Sequence, residues 1–339
     1  MEIKDLAGLS EPLKKLVETI SNAIGKLYEP THIKRIAKAK SFKRDLELKD
    51  KLKEINEISN VVEKKEIVNI NYYTDNVSLD NKPILERTYN RLLYQEIERT
   101  NNIDNIVIKV IEKLKDEEKV SDDPVNKDWS KRFFNIAENI SDDYMQELWS
   151  RVLAGEIKQP NSFSLRTLET LKNISKEEAE LFVKISKFLF YSINNEYFLF
   201  KNMTLLEKYN IKFLDILKLM DAGLFVSIER LFINLSENNT TILNNGYYFQ
   251  IKLINGINIF DIKNNINSSQ IPIYKVSEAG KEILKLVDEK CSNNDFFIDN
   301  IKYIKKNYWN VELILREVER IDFENGLIHT KNNNLINSI

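Results

Sequence analysis

The densest gathering of side chains able to do chemistry is Arg151, Glu156, Ser162, Ser164, Arg166 and Thr167. Two guanidiniums beside a run of hydroxyls suit a phosphate or a carboxylate, because a planar guanidinium meets an oxyanion with two parallel hydrogen bonds. The N–H groups of a helix starting near Ser162–Arg166 would add a further anion site. Arg151, Arg166, Ser162, Ser164 and Thr167 are therefore an anion-binding candidate. A plainer use of the same residues is also open: Glu156 pairs with an arginine, Ser162 or Ser164 caps a helix, and Leu153-Ala154-Gly155-Glu156 is a turn that lets two helices approach. Caps and ion pairs are the commoner employment of these residue types, and the plainer use is the expectation.

A second cluster, Asp142, Asp143 and Glu147, offers carboxylates spaced as hard-metal ligands. The first turn of a helix accounts for them equally well, since acidic groups there complement the helix dipole. With only His32 and His329, imidazole zinc sites and histidine-relayed triads lack parts. Neither GxxxxGK[ST] nor GxGxxG occurs, so no phosphate-cradling loop is recognised. The lone Cys291 has no adjacent base to make it a nucleophile. No catalytic residue, metal ligand or cofactor is assigned, and any enzyme here would have to work through carboxylates or arginines.

These residues must be positioned by a framework that the chain spells out in periodicity. At 339 residues two or three units are expected, and 42% hydrophobic with 30% charged residues is a globular mixture. Ser10 and Pro12 open an amphipathic helix whose apolar positions Leu13, Leu16, Val17, Ile20, Ile24 and Leu27 recur at three- and four-residue steps, ending near Tyr28-Glu29-Pro30. Asp80 or Asn81 with Pro83 begins a long helix through Ile84, Leu85, Leu92, Ile103, Ile106, Val110 and Leu114. A break at 121–127 bounds this N-terminal part, 1–120. Asp128 and Ser141 are read as the next caps, and Ser175 with Glu178 forms a capping box, giving a central helical module over 128–200. From 203 to 325 a helix, a hairpin turning at Asn244-Asn245-Gly246 and further helices resemble a winged-helix unit. The tail, 326–339, reads as disordered. The fold class expected is mainly α with a smaller α+β part.

Partners follow from charge. A net charge of −2 and a pI of about 6.0 give no whole-molecule attraction to nucleic acid or anionic lipid. One stretch differs: Lys34, Arg35, Lys38, Lys40, Lys43 and Arg44 fall between Thr31 and Arg44 without one acid. Joined to the preceding amphipathic helix, it is a candidate for membrane or phosphate contact, the apolar face entering acyl chains and the cations meeting anionic headgroups. That face lacks Trp and Phe, so packing on another helix or a second subunit is the preferred use of Leu13, Leu16, Val17, Ile20, Ile24 and Leu27. The N-terminus has acids and prolines where a signal peptide needs a basic and then apolar run, and no stretch reaches a bilayer-spanning length. A cytoplasmic address follows as the expectation, with peripheral contact at the inner membrane under the anchor reading.

Residues 7–39 and 128–182 carry a family likeness. The tract containing Trp129, Phe133, Ser141, Asp142, Met145, Gln146, Leu148, Trp149, Leu153, Ala154, Gly155, Glu156, Pro160, Ser162, Phe163, Arg166 and Thr167 resembles the bacterial family designated domain of unknown function 2806. The resemblance implies an architecture and a bacterial origin, and carries no activity, cofactor or ligand with it. The functional expectation is a non-enzymatic interaction or regulatory protein, with a protein partner, a homo-oligomer or both; whether it takes a small-molecule ligand is left open. Alternatives are a membrane-surface effector in bacterial stress or phage defence anchored by 10–44, and a DNA-binding regulator. The balanced Lys212, Asp215, Lys218 and Asp221 on the candidate recognition helix make nucleic acid the lesser partner.

Overall fold

A computed structural model describes residues 10–25, 82–192, 194–228, 230–234, 240–244, 247–253, 270–287, 294–308, 311–322 and 327–331. The chain divides into two compact units, Met1–Ser162 and Phe163–Ile339. The division falls inside the stretch 128–200 that the sequence presents as one helical module.

The first unit contains four described helices: α1 (Glu11–Ile24), α2 (Lys82–Leu114), α3 (Lys127–Ala137) and α4 (Asp143–Lys158). Helix α1 starts at Ser10 with Pro12 in its first turn and stops at Gly25, whose φ of 92° ends the helical path. Its Leu13, Leu16, Val17, Thr19 and Ile20 are buried, against α3 above all and also α2 and α4. Lys15 fastens the helix by donating to the Ser121 carbonyl at 2.7 Å. Helix α3 is capped by Asn126 rather than Asp128: the Asn126 carboxamide oxygen accepts from the Asp128 and Trp129 N–H groups at 2.9 and 3.1 Å. Helix α4 is capped by Asp142 rather than Ser141, through Met145 N–H at 3.0 Å. Between them lies an aromatic cluster: Phe133 stacks on Trp129 at 5.3 Å and meets Trp149 at the same distance. Phe133 and Trp149 are fully buried, so truncating either would remove about 3–5 kcal/mol.

The second unit is a sheet with flanking helices. Its described elements are α5 (Leu165–Asn173), α6 (Lys176–Ser186), β1 (Phe190–Ser192), β2 (Tyr197–Phe200), α7 (Met203–Lys208), α8 (Phe213–Asp221), β3 (Phe232–Asn234), β4 (Thr240–Asn244), β5 (Tyr247–Leu253), β6 (Gln270–Lys275), α9 (Glu278–Leu284), α10 (Asn294–Asn307), β7 (Val311–Asp322) and β8 (Leu327–Thr330). The strands run in the order β3-β6-β2-β1-β4-β5-β7-β8 and every neighbouring pair is antiparallel. Overall the chain is mainly helical with an antiparallel sheet in its C-terminal part.

Three strands lie outside what periodicity suggested. Strands β1 and β2 form a hairpin closed at Asn194-Asn195, where Asn195 takes a φ of 58°, a conformation asparagine tolerates. Strand β8 lies in the expected disordered tail: Ile328 and His329 pair with Ile321 and Arg320 of β7. Phe190, Phe198, Phe200 and Phe249 are buried, and α10 brings Phe296 and Phe297 to 6.0 and 5.7 Å from Phe190. Helix α9 presses on the turn after α8 so closely that a Cβ on Gly280 would sit 2.4 Å from the Leu224 carbonyl oxygen. Ser277 locks that approach by donating to the Gly223 carbonyl at 2.6 Å. Among the described residues no helix is long and apolar enough to cross a membrane.

Candidate functional site

The start of α5 holds three of the five anion-site candidates, and a carboxylate of the chain itself already reaches it. Ser164 caps the helix, its hydroxyl accepting from Thr167 N–H at 3.3 Å. Glu282 of α9 reaches into the same turn, one carboxylate oxygen accepting from Ser164 N–H at 2.6 Å and from the Thr167 hydroxyl at 2.5 Å. Thr167 is fully buried. The electrostatics expected of an anion site are present, and the chain's own carboxylate meets them. Arg166 is exposed on the next position. Ser162, ending the first unit, donates to the Gln159 carbonyl at 2.6 Å.

Arg151 belongs to the first unit and Arg166 to the second. Arg151 Nε stands 3.2 Å from Glu147, whose same oxygen receives Lys113 at 2.7 Å. Burial works to raise the Glu147 carboxyl, yet the hydrogen bonds from Lys113 and Arg151 outweigh it and hold the group below the ordinary carboxylate range. Asp143 pairs with Lys109 at 2.8 Å. Asp142 is the α4 cap, so each member of the acidic trio has its own structural task. Among the described residues no group of three or more His, Cys, Asp or Glu is placed to hold a metal ion.

Glu156 is buried and accepts the Asn161 N–H at 2.7 Å, so it holds the chain leaving α4. Leu153–Glu156 is not a turn; it lies within α4, where Val152, Leu153 and Ala154 are buried. Gln146 is buried too and donates to the Ile140 carbonyl at 2.8 Å. The polar residues of this tract act as internal fasteners.

Two further charged clusters belong to the second unit. Glu196 lies between Lys275 at 2.7 Å and Lys281 at 3.2 Å, and Lys281 also meets Glu278 at 2.8 Å. Burial pushes Glu196 up and the two lysine hydrogen bonds bring it below the ordinary range. Asp299 accepts from Lys208 at 2.5 Å and the Tyr209 hydroxyl at 2.7 Å. Those two hydrogen bonds lower its carboxyl. Burial first, then the hydrogen bond to Asp299, raises the Tyr209 phenol.

What stands out by exposure is the first half of α2. Ile103, Ile106, Val107, Val110, Ile111 and Leu114 are buried. Upstream, Tyr89 is 50% exposed, Leu92 55% and Leu93 36%. At 100° per residue these three fall on the same stripe as Ile103, Val107 and Val110. The stripe has a covered half and an open half, with Glu96, Arg99 and Thr100 interrupting it between them. Leu92 belongs to the apolar periodicity of the sequence, but periodicity does not say which half of a stripe is covered. The α1 interface candidates Leu13, Leu16, Val17 and Ile20 are buried within their own unit, and Ile24 is half-buried. Leu27, the basic residues Lys34, Arg35, Lys38, Lys40, Lys43 and Arg44, and Cys291 lie outside the described residues.

Fold and clusters together define a mainly helical, two-unit protein whose polar groups chiefly fasten its own elements. A model for the family described as protein of unknown function (DUF2806) matches residues 86–302, well over half of the chain, and the chain belongs to that family. The tract 128–182 lies wholly within the match and the segment 7–39 precedes it. Neither the curated proteins nor the solved structures yield a match.

Proposed function

We propose that this chain is a non-enzymatic interaction protein whose docking ridge is the first half of α2. The observation that carries this reading is the exposure of Tyr89, Leu92 and Leu93 on a stripe that is core eleven residues further on. A helix face with that composition gains free energy only when something covers it, roughly 25 cal/mol for each Å² of apolar surface removed from water.

The second unit would supply another contact surface, used in the manner of a winged helix serving protein recognition. Helix α8 presents Phe213 and Leu214, 46% and 64% exposed, beside Lys212, Lys218 and Asp221. Asp215 is engaged in accepting the Lys212 N–H at 2.9 Å. This face is apolar and charge-balanced, which suits a protein surface better than phosphates. The membrane-anchor alternative would have to withdraw Leu16, Val17 and Ile20 from the core, at about 1.5–3 kcal/mol for each side chain.

The test is site-specific photo-crosslinking in cells, with the photoreactive residue at Leu92 and a control at exposed Glu180 on α6. Adducts with protein from position 92 and none from position 180 are expected. An absence of adducts at 92, or equal labelling at both, overturns the reading.

A further inference from the structure

We infer that α9 is a conformational relay, a short helix that ties the β1–β2 hairpin to the start of α5 so that a change at either is felt at the other. Three consecutive residues of α9 engage three different elements. Gly280 lies against the turn after α8, where a Cβ would stand 2.4 Å from the Leu224 carbonyl oxygen. Lys281 meets Glu196, at the mouth of the hairpin, at 3.2 Å. Glu282 accepts from Ser164 N–H and the Thr167 hydroxyl at 2.6 and 2.5 Å. Successive residues of a helix point about 100° apart, so these contacts surround α9 instead of sharing one side of it.

Both ends of the relay are anchored. Ser192 N–H donates to the Glu196 carbonyl at 2.9 Å, and Lys275 of β6 takes the Glu196 carboxylate at 2.7 Å. Thr167 is fully buried, and Ser164 caps α5. Helix α9 is fixed at its start by Ser277, whose N–H donates to the Leu224 carbonyl at 2.9 Å and whose hydroxyl donates to the Gly223 carbonyl at 2.6 Å. Its Ala279, Ile283 and Leu284 are buried. The contacts leave little slack: Gly280 has no side chain to flex, the Lys281 side chain is 17% exposed and also meets Glu278 at 2.8 Å, and one Glu282 oxygen serves two donors. Close-packed elements pass a displacement on to their neighbours. Among the described residues Glu196 and Thr167 share no hydrogen-bond partner, so without α9 as their common support the effects of perturbing them would be independent.

The inference is tested by amide hydrogen exchange and mass spectrometry on the full-length protein. The peptides followed are 163–168 at the start of α5, 190–197 in the hairpin, and 296–304 of α10 as reference. Glu196→Gln is expected to speed exchange at 163–168 by about 3-fold or more while leaving the reference unchanged. Lys281→Met, which cuts the same tie from the α9 side, is expected to reproduce that effect. Glu282→Ala is expected to speed exchange at 190–197, and adding Glu196→Gln to it is expected to change 163–168 no further, because the relay is already severed. Lys208→Gln, which breaks the Asp299 pair of the same unit without touching α9, serves as the control and is expected to leave 163–168 and 190–197 as they are. Acceleration confined to the peptide nearest each substitution, equal acceleration by Lys208→Gln, or effects of Glu196→Gln and Glu282→Ala that multiply at 163–168 overturns the inference.

Discussion

Removal of Glu282 should both destabilise the second unit and uncover an anion site. In the native protein one Glu282 oxygen accepts from Ser164 N–H at 2.6 Å and from the Thr167 hydroxyl at 2.5 Å. Hydrogen bonds to a charged acceptor contribute about 1.5–3 kcal/mol each. Ser164 N–H faces solvent and can regain water, whereas fully buried Thr167 cannot do so easily. Glu282→Ala should therefore lose roughly 3 kcal/mol, most of it at Thr167. For a unit of this size the thermal midpoint would fall by roughly 6–12 °C, at about 2–4 °C per kcal/mol. Glu282→Gln, which keeps an acceptor without the charge, should lose about half as much. Scanning calorimetry measures both, with and without inorganic phosphate. Phosphate should raise the midpoint of the alanine variant and not that of the wild type, because the freed α5 N-terminus then accepts an external anion. A loss below about 0.5 kcal/mol, or equal phosphate stabilisation of both proteins, would refute the reasoning.

Gly280→Ala should destabilise by about 1–3 kcal/mol in urea unfolding, because its Cβ would stand 2.4 Å from the Leu224 carbonyl oxygen. A neutral or stabilising result, as alanine's helix propensity alone would produce, would show that α9 does not approach that turn so closely. Ser175→Ala should cost about 1 kcal/mol and Ser175→Thr less, since Glu178 N–H would lose its acceptor at the start of α6. Asp299 has its carboxyl lowered by the Lys208 and Tyr209 hydrogen bonds. Its contribution is present above the ordinary aspartate range near about pH 4 and is lost as the pH falls through the lowered value. Thermal midpoints of wild type and Asp299→Asn should differ at pH 7 and converge toward pH 3; a difference independent of pH counts against the ion pair.

Local signals were legible wherever a few adjacent residues decide the outcome. The Ser175–Glu178 capping box, the Ser164 cap and the α1 stripe depend on spacings of three and four residues, which a sequence displays directly. The Asn126 and Asp142 caps were each misplaced by one or two residues because several neighbouring side chains could serve equally and packing selected one. Strands β1, β2 and β8 are three or four residues long, too short to show a period, and exist because neighbouring strands complete their hydrogen bonds.

The chain's order of residues was enough to set the helical character, the DUF2806 membership and the poverty of imidazole and thiol groups. It also placed acids, hydroxyls and arginines together around residues 142–167. Tertiary structure alone decided what occupies the hydroxyls: Glu282 reaches Thr167 across 115 positions of chain, a pairing with no local periodicity to announce it. It decided likewise that α1 is covered and that half of α2 is not. Burial depends on which distant elements arrive at a face, whereas periodicity records only that the face exists.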